Sequence, residues 1–405
     1  MSAAGSTSFR KKARVKVGQI VGTKPSLYNN QLLISTGIPS LDYVIGGGLA
    51  VGTVLLVEED TYGSYAKLML KYFVAEALVT QQSVFLSSAD GSVQQLVKEL
   101  PGTVDEVSAQ TPAKVTSPSP STAHPHTGTQ AAGDPGSIAH SEDEKMKIAW
   151  RYQNSPKVQV LPSAGTQFGH YYDLTKTMDT GLVHASDISY WSTVRAGQTS
   201  VVSAVPDMNP NYWQLLQEIK NKIQAGCFGT AQEVEKRSIL RIGIHSLGSP
   251  LWGESADGRD PSLPLLLLAL RGILRTAFAA AMITVPAHLF YEKAFLHRVE
   301  RLADTVIRLE SFAGSDKEKN PVFKEYHGLL HVLQVPRLNS LVPAQPETSD
   351  LAFKLRRKKF TIEKLHLPPE LADTTGRSQD EDSIMSRRVG SGSGCGSSRT
   401  ADLSF

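Results

Sequence analysis

The chain has 405 residues, 40% of them hydrophobic and 20% charged, and 42 basic against 39 acidic side chains leave a formal net charge of +3. That length suits one large α/β domain or two small ones, and so small a charge does not announce a nucleic-acid binder, so any such surface must come from local clustering. Two cysteines, Cys227 and Cys395, with no CxxC pair exclude a disulfide framework and a cysteine zinc site, and they fit a reducing compartment.

In chain order, residues 1–17 are a basic leader with Arg10, Lys11, Lys12, Arg14 and Lys16 and no apolar signal-peptide core. The leader reads as solvated, disordered chain, with a short nuclear-import or RNA-contacting arm as the alternative. Residues 18–372 read as a single α/β domain interrupted by a low-complexity insertion, 101–145. Its Thr111–Pro135 segment, dense in Pro, Ser, Thr, Ala, Gly and His, buries too little apolar surface to offset the entropy of ordering. Structure is expected to resume at Met146. Residues 373–405 form a second disordered segment, rich in Ser, Gly and Arg.

Within the domain, Gly52–Val57 reads as a buried strand, Ser64–Thr80 as a helix and Ser83–Ser88 as a strand. This βαβ unit predicts parallel pairing and a right-handed crossover. A helix over Tyr212–Ala225 ends at Gly226. The strand Ile239–Ile244 follows, then a long helix from Leu263, a strand Met282–Val285 and a short helix Ala294–Leu302. Asp304–Leu309 and Leu329–Val335 complete the strands. The alternation argues for a doubly wound, mainly parallel sheet flanked by helices. Leu263–Val285 is long enough to span a membrane, but Arg271 and Arg275 near its middle would each cost about 2.5–3.5 kcal/mol at the bilayer centre. It reads instead as a buried amphipathic helix with Ser262 as N-cap, Pro264 in the first turn and the arginines on one polar edge.

The segment from Ser35 to Leu49 (STGIPSLDYVIGGGL), then Gly52 and a strand, carries the chemistry. Gly46, Gly47 and Gly48 permit a tight turn with positive φ. The ordered series Thr-Gly, Leu-Asp, Gly-Gly-Gly-Leu, Gly and strand resembles the entry to a RecA-type ATPase core. Such a core continues with a phosphate loop, GxxxxGK[ST], whose backbone N–H groups cradle phosphate, whose Lys reaches the β/γ oxygens and whose hydroxyl binds Mg²⁺. Here only Gly63 survives. Glu58 stands at the first glycine, Ser64 at the lysine and Tyr65 at the hydroxyl position, and Lys67 lies three positions late. Glu58, Glu59 and Asp60 put three carboxylates where a triphosphate would sit, with repulsion of about 4 kcal/mol per pair at ~4 Å and an effective dielectric of ~20. No ordinary ATP binding is expected, and the plain alternative is acidic residues stabilising a helix N-terminus. The second nucleotide-handling strand ends in His245 and Ser246, where a RecA-like core has a metal-positioning Asp followed by Ser. A neutral imidazole cannot replace a carboxylate facing hydrated Mg²⁺. No catalytic residue, metal or cofactor is expected.

The blocks beginning at Gly22 (GTKPS), Gly46 (GGGLAVGTVLL), Lys145 (KMKIAWRY), Phe168 (FGHYYDL), Arg241 (RIGI), Leu247 (LGSPLWG), Asp350 (DLAFKL) and Phe360 (FTIEKLHLPP) resemble the family of the fourth Elongator subunit. The resemblance covers about 18–100, 145–175 and 236–370, with 176–235 the least diagnostic. It implies a RecA-like fold without working Walker motifs and a heterohexameric ring with the fifth and sixth Elongator subunits. It also implies docking on the larger catalytic subcomplex, which begins 5-carboxymethyl-type modification of wobble uridine in tRNA. The ring binds tRNA and is thought to couple nucleotide to its release, with any ATPase at subunit interfaces and none in this chain alone. A place in cytoplasm and nucleus, with no membrane, follows from this reading. An active ATPase with an irregular loop and a pure scaffold without RNA contact are the competing functions.

Two basic features remain. Lys354, Arg356, Arg357, Lys358 and Lys359, framed by Phe353 and Phe360, read as a tRNA contact or as one solvated strand face. Arg271 and Arg275 read as interface arginines acting on a neighbour's nucleotide or as partners of core-edge carboxylates. His170, Tyr171, Tyr172 and Asp173 look chemical but read as a packed strand with polar ends.

Overall fold

The computed structural model describes residues 20–26, 30–90, 93–104, 168–193, 208–253, 260–338 and 350–365. The leader, residues 105–145, the block at Lys145 and the segment 373–405 lie outside the described residues. Val104 apart, the described residues belong to one compact unit.

Strands β1 (Thr23–Pro25), β2 (Leu32–Ile34) and β3 (Leu49–Ala50) form a small antiparallel sheet, with α1 (Pro39–Val44) between the last two. Then come β4 (Val54–Glu58), α2 (Ser64–Val79), β5 (Ser83–Ser88), α3 (Val93–Lys98) and β6 (Pro101–Thr103). The chain returns in β7 (Tyr172–Thr177), which pairs antiparallel with β6, followed by α4 (Thr180–Ala185), β8 (Ile188–Ser192) and α5 (Pro210–Ala225). Next are β9 (Leu240–His245), α6 (Ser262–Leu274), β10 (Ala279–Val285) and α7 (Lys293–Leu302). Last are β11 (Thr305–Ser311), β12 (Gly328–Gln334), β13 (Leu351–Leu355) and β14 (Phe360–Lys364).

The nine-stranded sheet has the order β14-β13-β12-β11-β4-β10-β9-β5-β8. From β11 to β8 every pairing is parallel; β12, β13 and β14 are added antiparallel at one edge. This is a RecA-like, doubly wound α/β fold. Alternate residues of the central strands serve its two faces. Leu55 and Val57 join the core under α1, α2 and α3, while Val54 and Leu56 join the core under α5, α6 and α7. Burial on both faces explains why these strands read as unbroken apolar runs.

The structure corrects several expectations. β4 and β5 are parallel but do not pair, because β10 and β9 lie between them. Strand insertion of this kind is a long-range event that a local βαβ reading misses. The long apolar helix stops at Leu274, and β10 starts at Ala279, three residues before the expected strand. Three alanines, good helix formers, are drawn into the sheet because their backbone completes ladders to both β4 and β9. Ser262 is the first residue of α6, not its cap: its N–H donates to Asp260 Oδ1 at 2.8 Å, and its hydroxyl accepts from Asn209 N at 2.9 Å. Residues 101–103 are strand β6, so the chain stays in the fold past the insertion boundary drawn at 101. No helix among the described residues is long and apolar enough to cross a membrane.

Gly46, Gly47 and Gly48 have φ of 93°, 107° and 136°, and a Cβ on Gly48 would lie 2.7 Å from Ile34 O. The triplet therefore closes the turn from α1 into β3 as the sequence required.

A charged group ties the layers together. Arg241 of β9 is fully buried; its Nε donates to Gln82 Oε1 at 2.6 Å and its Nη1 to Ser35 O at 2.6 Å, and its guanidinium lies 4.9 Å from the Phe73 ring centre. Nearby Glu76 of α2 accepts from His170 N (3.1 Å) and Tyr172 Oη (2.7 Å), and its Oε1 lies 3.0 Å from His170 Nδ1. Burial pushes the Glu76 carboxyl up, but the His170 bond, the Arg241 charge and the Tyr172 bond outweigh it and hold it below the usual range. The His170–Tyr172 cluster is thus a polar lock on α2. Arg241→Leu leaves Glu76 without its buried cation; an expected loss of about 3–5 kcal/mol in urea unfolding checks this.

Candidate functional site

In an open α/β sheet, ligands bind beyond the carboxyl ends of the parallel strands. Here that rim is formed by the turn after β4 and by the ends of β5, β9 and β10. Every residue singled out in the two nucleotide motifs lies at this rim, and all but the Ser64 side chain are engaged by the protein itself.

Gly63 has φ of 65° and caps α2, and its N–H donates to Asp60 O at 2.7 Å. This turn folds Asp60 back over the helix. Asp60 Oδ1 accepts from Tyr65 N (3.0 Å) and Ala66 N (3.3 Å), and Oδ2 accepts from Ser64 N (3.2 Å). Those N–H groups are the donors that a helix N-terminus offers to an anion. The Asp60 carboxyl occupies the place of a phosphate and is only 1% exposed. Sequence reasoning placed acidic residues at this helix end, but not which of the three would turn inward.

The other two carboxyls point elsewhere. Glu58, the last residue of β4, is fully buried; its Oε2 accepts from Arg308 Nε of β11 at 2.6 Å. Its Oε1 has no hydrogen-bond partner among the described residues. Arg308 also reaches Glu300 at 3.4 Å, and Glu300 lies 2.8 Å from His297 Nδ1. Burial, with the neighbouring Glu300 carboxyl adding to it, pushes Glu58 up to about 7, against the pull of Arg308. Glu59 accepts from Thr284 Oγ1 (2.6 Å) and Ser246 Oγ (3.4 Å). Burial raises its carboxyl, opposed by those two bonds. The three acids therefore do not line one open cradle, as their adjacency suggested; they diverge into three separate contacts, although the Asp60 charge still helps to raise Glu59.

Ser64, at the lysine position, is exposed. Tyr65, at the hydroxyl position, packs its ring 4.6 Å from Phe353 and 6.4 Å from Phe360, fastening α2 to the β13–β14 pair. Ser246, in a left-handed conformation (φ 51°), donates its N–H to Thr284 Oγ1 at 2.7 Å. His245 Nδ1 is 3.3 Å from Ser88 Oγ, whose hydroxyl donates to Asp90 Oδ1 at 2.5 Å. Burial pushes the His245 pKa down, with Asp90 opposing and the Lys67 charge adding. Lys67, in the first turn of α2, acts on this imidazole through its charge alone.

The two basic features resolve differently. Arg271 and Arg275 both reach Asp304 Oδ1, at 2.9 and 2.5 Å, and Arg275 Nη1 donates to Gly52 O at 2.5 Å. Asp304 Oδ2 also accepts from Val54 N. The pair sits at the amino end of β4, away from the phosphate turn. Lys354 is 5% exposed and pairs with Glu325 at 2.8 Å and Glu363 at 3.6 Å, whereas Arg356, Arg357, Lys358 and Lys359 are exposed. Phe353 and Phe360 are buried and cannot stack on a base.

Asp60→Ala removes the internal anion and is expected to lower stability by about 1–2 kcal/mol in chemical denaturation, as for loss of a helix cap. Glu58 retains a proton up to about pH 7 in the folded chain but, unfolded, only up to about 4.5. Its stabilising share is full below about pH 4.5 and is lost as pH rises to about 7. Relative to Glu58→Gln, which cannot ionise, the wild type should lose stability between pH 5 and 8; parallel urea midpoints at the two pH values test this.

A model of the family described as PAXNEB protein matches residues 16–405. The chain is 47% identical over 383 residues to Elongator complex protein 4 of Danio rerio, covering 93% of this chain and 91% of that one. It is 46% identical over 397 residues to Elongator complex protein 4 of Xenopus laevis, covering 96% and 93%. Against Elongator complex protein 4 of Homo sapiens the identity is 43% over 385 residues, covering 93% and 86%. A RecA-like scaffold with its phosphate turn filled from within, matched almost end to end by these relatives, belongs to the PAXNEB family.

Proposed function

We propose that this chain is a non-catalytic RecA-like subunit of Elongator. In this reading it joins the fifth and sixth subunits in a heterohexameric ring that docks on the larger catalytic subcomplex and supports wobble-uridine modification by binding tRNA. It works in cytoplasm and nucleus. The name of its relatives supports the complex; the geometry of the phosphate turn supports the absence of catalysis.

The observation that carries the non-catalytic part is the Asp60 carboxyl on the first amides of α2. A nucleotide would have to displace an internal ligand that is covalently tethered, and so present at high effective concentration. It would meet no lysine and no metal-binding hydroxyl, since Ser64 and Tyr65 stand in those places. Any nucleotide handled by the ring is therefore held without this turn, at subunit interfaces. The interface role of Arg271 and Arg275 belongs to the same reading: each is about one-third exposed while tied to Asp304. They stay available at one end of the sheet as a fixed cationic edge.

Two measurements test the proposal. Co-expression with the fifth and sixth subunits should give a stable complex whose mass, by native mass spectrometry, is that of a six-chain ring, with tRNA adding one further mass step. Calorimetric titration of the purified chain with Mg·ATP should show no binding at millimolar nucleotide; saturable binding lost on Gly63→Val would favour an ATPase with an irregular loop instead.

A further inference from the structure

The tip of the β13–β14 ribbon is the most concentrated free charge among the described residues. Arg356 and Lys359 exchange backbone hydrogen bonds (N···O 2.9 and 3.2 Å), closing the hairpin over a two-residue turn, Arg357 and Lys358. All four side chains are exposed, and none forms an ion pair among the described residues. Leu174 N donates to Lys358 O at 2.8 Å, which pins the turn against β7. Lys176 of β7 is also exposed, forms no ion pair among the described residues, and acts through its charge on the same carboxyl, Asp173, as Lys358. Asp173 marks the junction: its carboxyl is held below the usual range first by Thr175, whose N and Oγ1 donate at 2.9 and 2.6 Å, and then by the charges of Lys358 and Lys176. Asp173 thus lies within reach of the charges of both the turn and β7, while Arg356 at the other side of the turn acts on Glu325.

Lys354 is absent from this cluster although it is adjacent in sequence. Its side chain turns into the sheet edge and is neutralised by Glu325 and Glu363. The two aromatic residues that frame the run are buried in the core, so the surface offers charge and donors without a stacking platform. Guanidinium forks and ammonium groups without aromatics suit phosphate oxygens, contacts that position a nucleic acid and carry no sequence. A backbone hydrogen-bonded at both ends of the turn needs little further ordering to bind.

We propose that Arg356, Arg357, Lys358 and Lys359 at the β13–β14 turn, together with Lys176 of β7, form a sequence-independent contact for the phosphate backbone of RNA, and that Lys354 takes no part in it. This rests on the reading of the chain as part of a tRNA-binding assembly, and adds the place and mode of contact. An acidic protein segment is the competing occupant. Nucleic acid is favoured because it presents a charge at every residue and gains from counterion release along its whole length.

The test uses the co-expressed assembly and a transcribed tRNA, with affinity measured across about 50–200 mM salt. The double variant Arg357→Glu, Lys358→Glu should weaken binding roughly tenfold or more near ~150 mM salt and flatten the log–log salt slope by about 2. Lys176→Glu should flatten it by about 1. Neither change should move the thermal unfolding midpoint, because all three side chains are exposed. Lys354→Gln should do the reverse, lowering the midpoint and leaving the slope intact. If the wild-type assembly binds tRNA and the double variant keeps the same slope, the hairpin assignment is wrong while the wider function stands. If the wild-type assembly binds no tRNA, both fall. Binding of polyglutamate as tight as that of tRNA, lost in the same double variant, would overturn the assignment in favour of an acidic protein partner.

Discussion

The hydrogen bonds from the first amides of α2 to the Asp60 carboxyl govern how this molecule can act. A helix N-terminus buried at the rim of a sheet must find acceptors, or its orphan donors destabilise it. In a nucleotide-binding core that acceptor arrives with the ligand. Here it is built into the chain, so the turn after β4 is complete in the free protein. The acceptor for these amides is thus supplied by the chain itself and needs no ligand.

The neighbouring acids follow from the same constraint. Once Asp60 takes the helix amides, Glu58 and Glu59 must find separate partners in a closely packed region. Glu59 takes hydroxyls from β10 and from the residue after β9; Glu58 takes Arg308, which also reaches Glu300. Each contact crosses from β4 to a different neighbouring element. The rim where a RecA-like core would hold a triphosphate is instead cross-linked by polar contacts, with the half-buried His245 ring beside Ser88.

Cations divide into two classes by what they touch. Arg241, Arg308, Arg271, Arg275 and Lys354 each meet a carboxyl or backbone carbonyl of the core and act as fasteners. Arg356 to Lys359 meet none and project from a turn. Position within the sheet sets the class: β13 carries Lys354 between Glu325 and Glu363, whereas two residues further the ribbon turns and its side chains are exposed. Charge useful for a partner is what the fold leaves unneutralised, so net charge alone conceals it.

The sequence by itself determined the α/β class, the placement of most central strands and helices, and the loss of the phosphate-loop lysine and metal ligand. These are local facts: runs of buried β-branched residues, a glycine triplet that needs positive φ, and side chains missing from a short motif. It also placed acidic residues at the start of α2. Only the tertiary structure decided that Asp60 alone fills the cradle while Glu58 and Glu59 turn away, since that depends on Arg308, Thr284 and Ser246, which come from distant parts of the chain. It also decided that β9 and β10 separate β4 from β5, that three alanines enter a strand, and that Lys354 leaves its own basic run for two glutamates. A local pattern specifies which residue types are present; the burial and pairing created when remote strands meet specify which of them remain available.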